Sequence, residues 1–334
     1  MLKIMPNPVA GGNAAVNADG ADPSRHNVDL PFRKTFYPAG HALEVSSDSA
    51  DVLITAAKLW QRYPALSGAQ PLRLRIIDSG SHPDSARQRL PPCGESHLFS
   101  IVHGEHDFAL ADLSTGFAFA SLSRETLADR GRFSYYFLEP LVYAMLGARH
   151  FVFIHASCIS RDGRAILLCG DSGSGKTCLA YACARLGWDY VCGDALHVVR
   201  GDDNRTVIGR PYEIRFRESA RRLFPELSRF RPAVRPNGKT DLEIDTAELG
   251  IPIALRSSAR HIVFIERADL TLLEKYSTEQ AMQAFEKTIC YGSDQTRMEQ
   301  RETLSRFTEL PVWRLDYSGP DQAERALNLL LDDL

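Results

Sequence analysis

Arg164-Ala-Ile-Leu-Leu-Cys-Gly-Asp-Ser-Gly-Ser-Gly-Lys-Thr177 decides how the second half of this chain folds. Residues Ala165 to Cys169 form an apolar run of strand length, and glycines at 170, 173 and 175 break it. A helix then follows from about Gly175 to Leu186, stopped by Gly187. The string matches G-x-x-x-x-G-K-[ST] in full, in the strand–loop–helix context the motif requires. In such a loop the backbone N–H groups of Gly170, Asp171, Ser172, Gly173, Ser174 and Gly175 converge on phosphate oxygens, helped by the positive end of the next helix. Lys176 is then expected against the β and γ phosphates, and the Thr177 hydroxyl beside Mg²⁺. A chain of this length shows the string by chance roughly once in a hundred. The expected cofactors are therefore ATP and Mg²⁺.

The neighbours extend the pattern. A strand from Trp188 to Cys192 returns from the helix, which carries the Asp194 carboxylate back to the phosphate edge of a βαβ unit. There it orients a metal or accepts a proton from an attacking hydroxyl. His155 follows the apolar run Phe151–Ile154 and on composition alone reads as a core histidine. A strand is expected over His261–Glu266, with Glu266 as a strand-end acid, and an Arg-rich helix over Glu218–Leu227. Eight basic residues between Arg215 and Lys239 face only Glu218 and Glu226 as acids, a cluster suited to steering an acidic substrate.

The whole chain has 334 residues, with 39 Lys+Arg against 42 Asp+Glu, a net charge of −3, and 44% hydrophobic and 24% charged residues. That composition suits a globular protein of about two domains and excludes collagen, coiled coil and wholesale disorder. Near-neutral charge gives no global footprint for nucleic acid or anionic lipid. The most apolar neighbourhood, residues 135–159, is interrupted by Glu139, Pro140, Arg149 and His150 and reads as no membrane span. Without an apolar run at the N-terminus the default compartment is the cytoplasm. Seven cysteines without a CxxC pair read as small core residues rather than as a disulfide or zinc framework.

Residues 1–30, rich in Gly, Asn, Ala, Asp and Pro, read as a mobile leader. Residues 31–149 read as an N-terminal α+β domain of short strands closed by a helix over Ser134–Arg149. This domain is expected to select or position the substrate. Residues 150–334 read as the phosphate-binding α/β domain.

The run from His155 through Thr177, with Leu186-Gly-Trp-Asp-Tyr-Val-Cys-Gly-Asp194, resembles the catalytic domain of HPr kinase/phosphorylase. It looks most like the HPr-kinase-related proteins outside sugar regulation, some of which accompany peptide natural-product gene clusters. The resemblance implies an α/β P-loop fold of the HPr-kinase-like, PEP-carboxykinase-like kind, and transfer of phosphate from ATP to a serine hydroxyl. His155, Lys176, Thr177 and Asp194 carry over as site residues. Tyr212-Glu-Ile-Arg215 is nearest to the family's later signature, which makes Glu213 a second metal carboxylate. Leu310-Pro-Val-Trp-Arg-Leu-Asp-Tyr317 looks like the closing strand. Gly193 stands where the family usually has the first of two aspartates. The implied partner is a protein or peptide with a Ser/Thr hydroxyl, and the family's symmetric assemblies admit a homo-oligomer. Two further readings stay open: a nucleotide-binding regulator without phosphotransfer, and a kinase acting on a small-molecule hydroxyl.

Overall fold

The computed structural model describes residues 29–82, 91–289 and 291–332. The leader expected at residues 1–30 lies almost wholly outside the described residues, as does Cys290. The described chain is a mixed α/β structure with two large sheets and a small third one.

The first sheet has seven strands: β1 (Phe32–Phe36), β2 (Leu43–Ser47), β3 (Leu72–Asp78), β4 (Cys93–Glu95), β5 (Leu98–His103), β6 (Asp107–Asp112) and β7 (Phe117–Leu122). They lie in the order β1-β2-β3-β7-β6-β5-β4. Helix α1 (Ala50–Trp60) makes the crossover that lets β2 and β3 run parallel, as a parallel pair requires. The reading of residues 31–149 as short strands closed by a helix over Ser134–Arg149 therefore misses this earlier helix. Its buried residues Val52, Ala56 and Trp60 recur every four positions, which is helical spacing.

Helices α2 (Arg124–Ala128), α3 (Arg130–Phe133) and α4 (Glu139–Arg149) follow, the last two joined through a π-helical turn at Ser134–Leu138. They bury Phe133, Phe137, Leu141 and Met145 with the sheet. The helix-facing side of β6 and β7 carries Ala109, Ala111, Ala118 and Ala120, whose short side chains let helices lie close.

The second half begins with β8 (Phe151–Ile154), β9 (Ser157–Arg161), β10 (Arg164–Cys169), α5 (Lys176–Arg185), β11 (Asp189–Cys192), β12 (Leu196–Val199) and β13 (Thr206–Ile208). Strands β14 (Glu213–Phe216), β15 (Ala233–Val234) and β16 (Thr240–Asp245) make the small sheet, followed by α6 (Thr246–Leu249). The chain then adds β17 (Arg256–Arg267), β18 (Leu272–Lys275), α7 (Thr278–Glu286), α8 (Asp294–Phe307), β19 (Val312–Tyr317) and α9 (Pro320–Asp332).

The pairings close on themselves. β9 pairs β10, β10 pairs β17, β17 pairs β13, β13 pairs β12, and β12 pairs β8, which continues into β9. One core lies under α5 and α9, around Leu179, Trp188, Leu315 and Leu327. A second lies on the side of α7 and α8, around Ile154, Leu167, Leu196 and Phe307. Four of the six described cysteines, Cys158, Cys169, Cys183 and Cys192, are buried there; Cys93 is exposed and Cys178 half-buried.

Two expected elements come out differently. The helix expected over Glu218–Leu227 is a pair of 3₁₀ turns, Glu218–Arg222 and Pro225–Arg229. Pro225 has no N–H to give and forces Phe224 out of the helical region, to φ −132° and ψ 85°. The strand expected over His261–Glu266 runs twice as far, because its first half pairs with β13 and its second half with β19. Among the described residues no helix is long and apolar enough to cross a membrane.

Polar contacts from α4 and from the residue stretch after α1 link the first sheet's helices to the second half of the chain. Arg210 meets Glu139 with two hydrogen bonds of 2.8 and 3.3 Å. Arg62 donates from one terminal nitrogen to both Asp245 carboxylate oxygens, at 2.9 and 2.7 Å, and lies 4.4 Å over the Tyr212 ring. Burial pushes the Glu139 carboxyl up, but the Arg210 charge overcomes it and holds the group below its usual range. Truncating Arg210 to Ala is expected to cost on the order of 2–4 kcal/mol in urea unfolding, because it strands Glu139 as an unpaired charge. The double change Arg210→Met with Glu139→Gln is expected to recover most of that loss; a loss as large as in Arg210→Ala would contradict this.

Candidate functional site

The loop between β10 and α5 turns through three glycines in the left-handed half of backbone space: Gly170 at φ 139°, Gly173 at 98° and Gly175 at 97°. Only glycine adopts these values without strain. Close approach fixes two of them further. A Cβ on Gly170 would lie 2.7 Å from the Ile265 carbonyl of β17, and one on Gly175 would run into the Tyr317 hydroxyl at the end of β19. That hydroxyl donates to the Ser174 carbonyl at 2.8 Å, so the two central parallel strands brace the loop from below.

Lys176 opens α5 and folds back over the loop. Its ammonium donates to the carbonyls of Gly170 at 2.8 Å and Asp171 at 3.0 Å, and only 7% of the residue is exposed. Burial lowers its pKa, while nearby Asp171 and Asp194 work the other way. The next residue, Thr177, sends its hydroxyl to the Gly193 carbonyl at 3.2 Å, and the Ser157 hydroxyl donates to the same oxygen.

These bonds join the loop to the two strand breaks that hold the other candidates. β8 and β9 are interrupted at His155–Ala156, and β11 and β12 at Gly193–Ala195. The pairs that flank the breaks, Ile154 with Leu196 and Cys158 with Cys192, share one antiparallel register, which a bulge between Tyr190 and Cys192 shifts by one residue farther along β11. Carried through the break, it sets Gly193 opposite Ser157, Asp194 opposite Ala156 and Ala195 opposite His155. Both Asp194 and His155 are exposed there. The core-histidine reading of His155 is thus corrected: the strand ends before it, and the side chain reaches solvent.

Glu213 lies on the far side of a buried phenol. The Tyr190 hydroxyl donates to the Glu213 carbonyl at 3.4 Å, and a Cβ on Gly193 would come within 2.8 Å of that hydroxyl. The Glu213 carboxylate pairs with Arg215 at 2.7 Å, and Arg215 reaches Glu243 at 3.7 Å. Burial pushes Glu213 up to about 7, opposed by Arg215 and reinforced by Glu243. Thr177 and Asp194 therefore share one junction, while Glu213 is held to one side by its arginine. Among the described residues no group of three or more His, Cys, Asp and Glu side chains forms a metal cluster. The oxygen donors of Thr177 and Asp194 suit a hard cation such as Mg²⁺, which binds few protein ligands when phosphates and water complete the set.

Two arginines flank the loop. Arg217 donates to the Ser172 hydroxyl at 3.0 Å from the β14 side. Arg267, at the end of β17, lies beside the Tyr317 hydroxyl and Gly175. Three of the eight residues of the expected basic cluster are taken by local pairs: Arg215 with Glu213, Arg221 with Glu218, and Arg235 with Asp241. Arg217 is the member that meets the loop. The strand-end acid Glu266 turns to Arg314 at 2.9 Å instead. Arg267 went unread because a lone arginine after an apolar strand carries no motif; the one signal was its place at a parallel strand end.

No family model and no curated protein matches the chain. Among solved structures the chain is similar to the Hpr(Ser) kinase/phosphatase from Coxiella burnetii, at 14% identity over 54% of this chain and 98% of that one, with a TM-score of 0.28. At that score the likeness is loose, and the site is read from its own geometry.

Gly193 has an ordinary backbone conformation, so what a side chain lacks there is room. Gly193→Ala is expected to cost about 1–3 kcal/mol through overpacking. The same change made in a Tyr190→Phe background is expected to cost at least about 1 kcal/mol less, a coupling that a double-mutant cycle measures. Strict additivity would contradict the contact.

Glu213 also makes a pH signature. Its folded value of about 7 lies above the ordinary 4.5, so between these values the native state holds a proton that the unfolded chain has released. Its stabilising contribution is present below that window and fades as pH rises through it. Glu213→Gln is expected to flatten stability against pH between 5 and 8 in urea titrations; an unchanged slope would contradict the assignment.

Proposed function

We propose that this chain is an ATP-dependent kinase of the HPr-kinase-like P-loop kind, transferring the γ-phosphate to a hydroxyl, with Ser or Thr of a protein or peptide as acceptor. The observation that carries the reading is the Lys176 ammonium closed onto the carbonyls of its own loop, next to a Thr177 tied to the strand break of Asp194. A buried ammonium with only backbone carbonyls as partners is suited to exchanging them for phosphate oxygens.

In this reading the N–H groups of residues 170–175 and the start of α5 bind the phosphates, and Lys176 neutralises the β and γ oxygens. Mg²⁺ would be held by Thr177 and Asp194 and would supply charge neutralisation on the phosphates; Glu213, paired with Arg215 to one side, would join as a second carboxylate only by leaving that pair. Arg217 and Arg267 approach the loop from opposite strands and are placed to stabilise transferring charge. Asp194 and His155, exposed on adjoining strand breaks, face the acceptor hydroxyl; Asp194 takes its proton and His155 orients it. Catalysis of this type is mainly positioning and charge stabilisation.

One observation favours a second reading, a nucleotide-binding regulator without transfer. The Tyr190 hydroxyl takes up the space that a side chain at Gly193 needs, so the first carboxylate of the family's pair has no place here.

The test is incubation of the purified protein with γ-³²P-ATP and Mg²⁺ in lysate from its own source, followed by separation of proteins, peptides and small molecules. Label in a polypeptide is expected from the wild type. None is expected from Lys176→Ala, which loses nucleotide binding, or from Asp194→Asn, which keeps binding and loses transfer. Label confined to metabolites would move the acceptor to a small molecule. Nucleotide binding without any label would establish the regulatory reading, and full transfer by Asp194→Asn would remove Asp194 from its role.

A further inference from the structure

Two strands of the first sheet, β6 and β7, carry their larger side chains on the outer face, although their neighbours β2, β3 and β5 bury theirs. Toward the helices, β6 and β7 present four alanines; toward solvent they present Phe108, Leu110, Phe117 and Phe119. The neighbouring strand β5 adds Leu98 and Val102 to the same outer face. The pairings place them in contact rows: Val102 opposite Phe108, Leu110 opposite Phe119, and Leu98 opposite Asp112, itself paired to Phe117. Phe108 is 44% exposed, Leu110 45% and Leu98 41%. One-sided sheets ordinarily alternate apolar inside and polar outside. A contiguous apolar patch on the open face instead marks a surface that meets a partner.

A basic row borders the patch. The outer face of β3 carries Arg73 and Arg75, opposite Phe117 and Phe119 respectively, and Arg33 continues the row through Ser46 on β2. Both guanidiniums of β3 lie over the Phe117 ring, at 5.8 and 5.7 Å. Both arginines are exposed, and among the described residues no carboxylate forms an ion pair with Arg33, Arg73 or Arg75; Glu44 is the one acid paired across to Arg73 in the sheet. This edge is therefore net positive, with three arginines against Glu44, while Asp112 and Glu95 stand opposite Leu98 at the other edge; the Arg33 Nε–H is held by the Leu30 carbonyl at 2.9 Å, and Arg73 and Arg75 are the members placed to take carboxylates.

The size of the patch selects the kind of occupant. Three strands about 4.8 Å apart and about 20 Å long cover roughly 300 Å². A stable dimer needs about 800 Å² from each partner, so a second copy of the chain would be underserved by this face. A short extended segment is matched to it.

We infer that the open face of β5-β6-β7 with its Arg33, Arg73 and Arg75 rim docks a short polypeptide segment in which apolar or aromatic side chains are followed by acidic ones. The apolar side chains cover Phe108, Leu110 and Phe119, and the carboxylates reach the arginine rim. Assigning that segment to the phosphoryl acceptor rests on the kinase reading; the docking itself needs neither nucleotide nor transfer.

The test is fluorescence anisotropy of the full chain, without nucleotide, against a labelled dodecapeptide of Phe and Leu followed by Asp and Glu, beside the same peptide with Lys for each acid. The acidic probe is expected to bind about tenfold or more tightly than the Lys probe, and Phe108→Ser with Leu110→Ser to weaken it by a similar factor. Arg73→Glu with Arg75→Glu is expected to reverse the preference between probes, a result that loss of folding cannot produce. Lys176→Ala should leave probe binding unchanged, so failure of the kinase reading and failure of docking are distinguishable. Equal affinity for both probes, no binding, or binding untouched by the Phe108 and Leu110 changes would overturn the inference. So would a wild type that sediments as a dimer and becomes monomeric in the Phe108→Ser, Leu110→Ser variant, because the occupant would then be a second copy.

Discussion

The Gly193 carbonyl accepts hydrogen bonds from Ser157 and Thr177, and the arrangement of the site depends on that one oxygen. Ser157 belongs to the strand that starts just after His155, and Thr177 to the first turn of the helix behind the glycine loop. The carbonyl therefore fixes three separate segments relative to one another: the loop helix, the break carrying His155 and the break carrying Asp194. Side chains on rigid strand ends are held more closely than on free loops, and phosphate chemistry gains mainly from such positioning. Tyr317 and the Ile265 carbonyl complete the brace from the parallel strands below.

Much of this was legible in the chain because the decisive signals are local. The apolar run Ala165–Cys169, the three glycines and Lys176-Thr177 specify strand, loop and helix within thirteen consecutive residues. Asp194 follows from the handedness of the returning strand. What was not legible depends on pairings between distant segments. His155 reads as core from its apolar neighbours, yet the strand ends one residue earlier and exposes it. The Arg-rich segment reads as a helix until Pro225 is weighed, and its charges read as a patch until Glu213, Glu218 and Asp241 turn out to face them. Arg267 reaches the loop only because β17 runs beyond Glu266 alongside β19.

The same non-local logic governs the first sheet. Alternation along β6 and β7 shows that two faces exist, but not which one the helices cover. The helices lie on the alanines, leaving the aromatic side bare and the arginines of β3 beside it. The polar links through Glu139–Arg210 and Arg62–Asp245 then tie that sheet to the strands around the glycine loop. On β14 Glu213 pairs with Arg215, and Arg217, just past the end of that strand, meets Ser172.

The central claim is that Gly170 to Thr177 cradles nucleotide phosphates with Lys176 as their counter-charge. A crystal structure of the full chain with Mg²⁺ and a non-hydrolysable ATP analogue tests it most directly. The account predicts β and γ phosphates within the loop, the Lys176 ammonium moved from the Gly170 and Asp171 carbonyls onto phosphate oxygens, and the metal between Thr177 and Asp194. A nucleotide bound elsewhere, or a Lys176 still closed on its own loop beside a bound nucleotide, would contradict it.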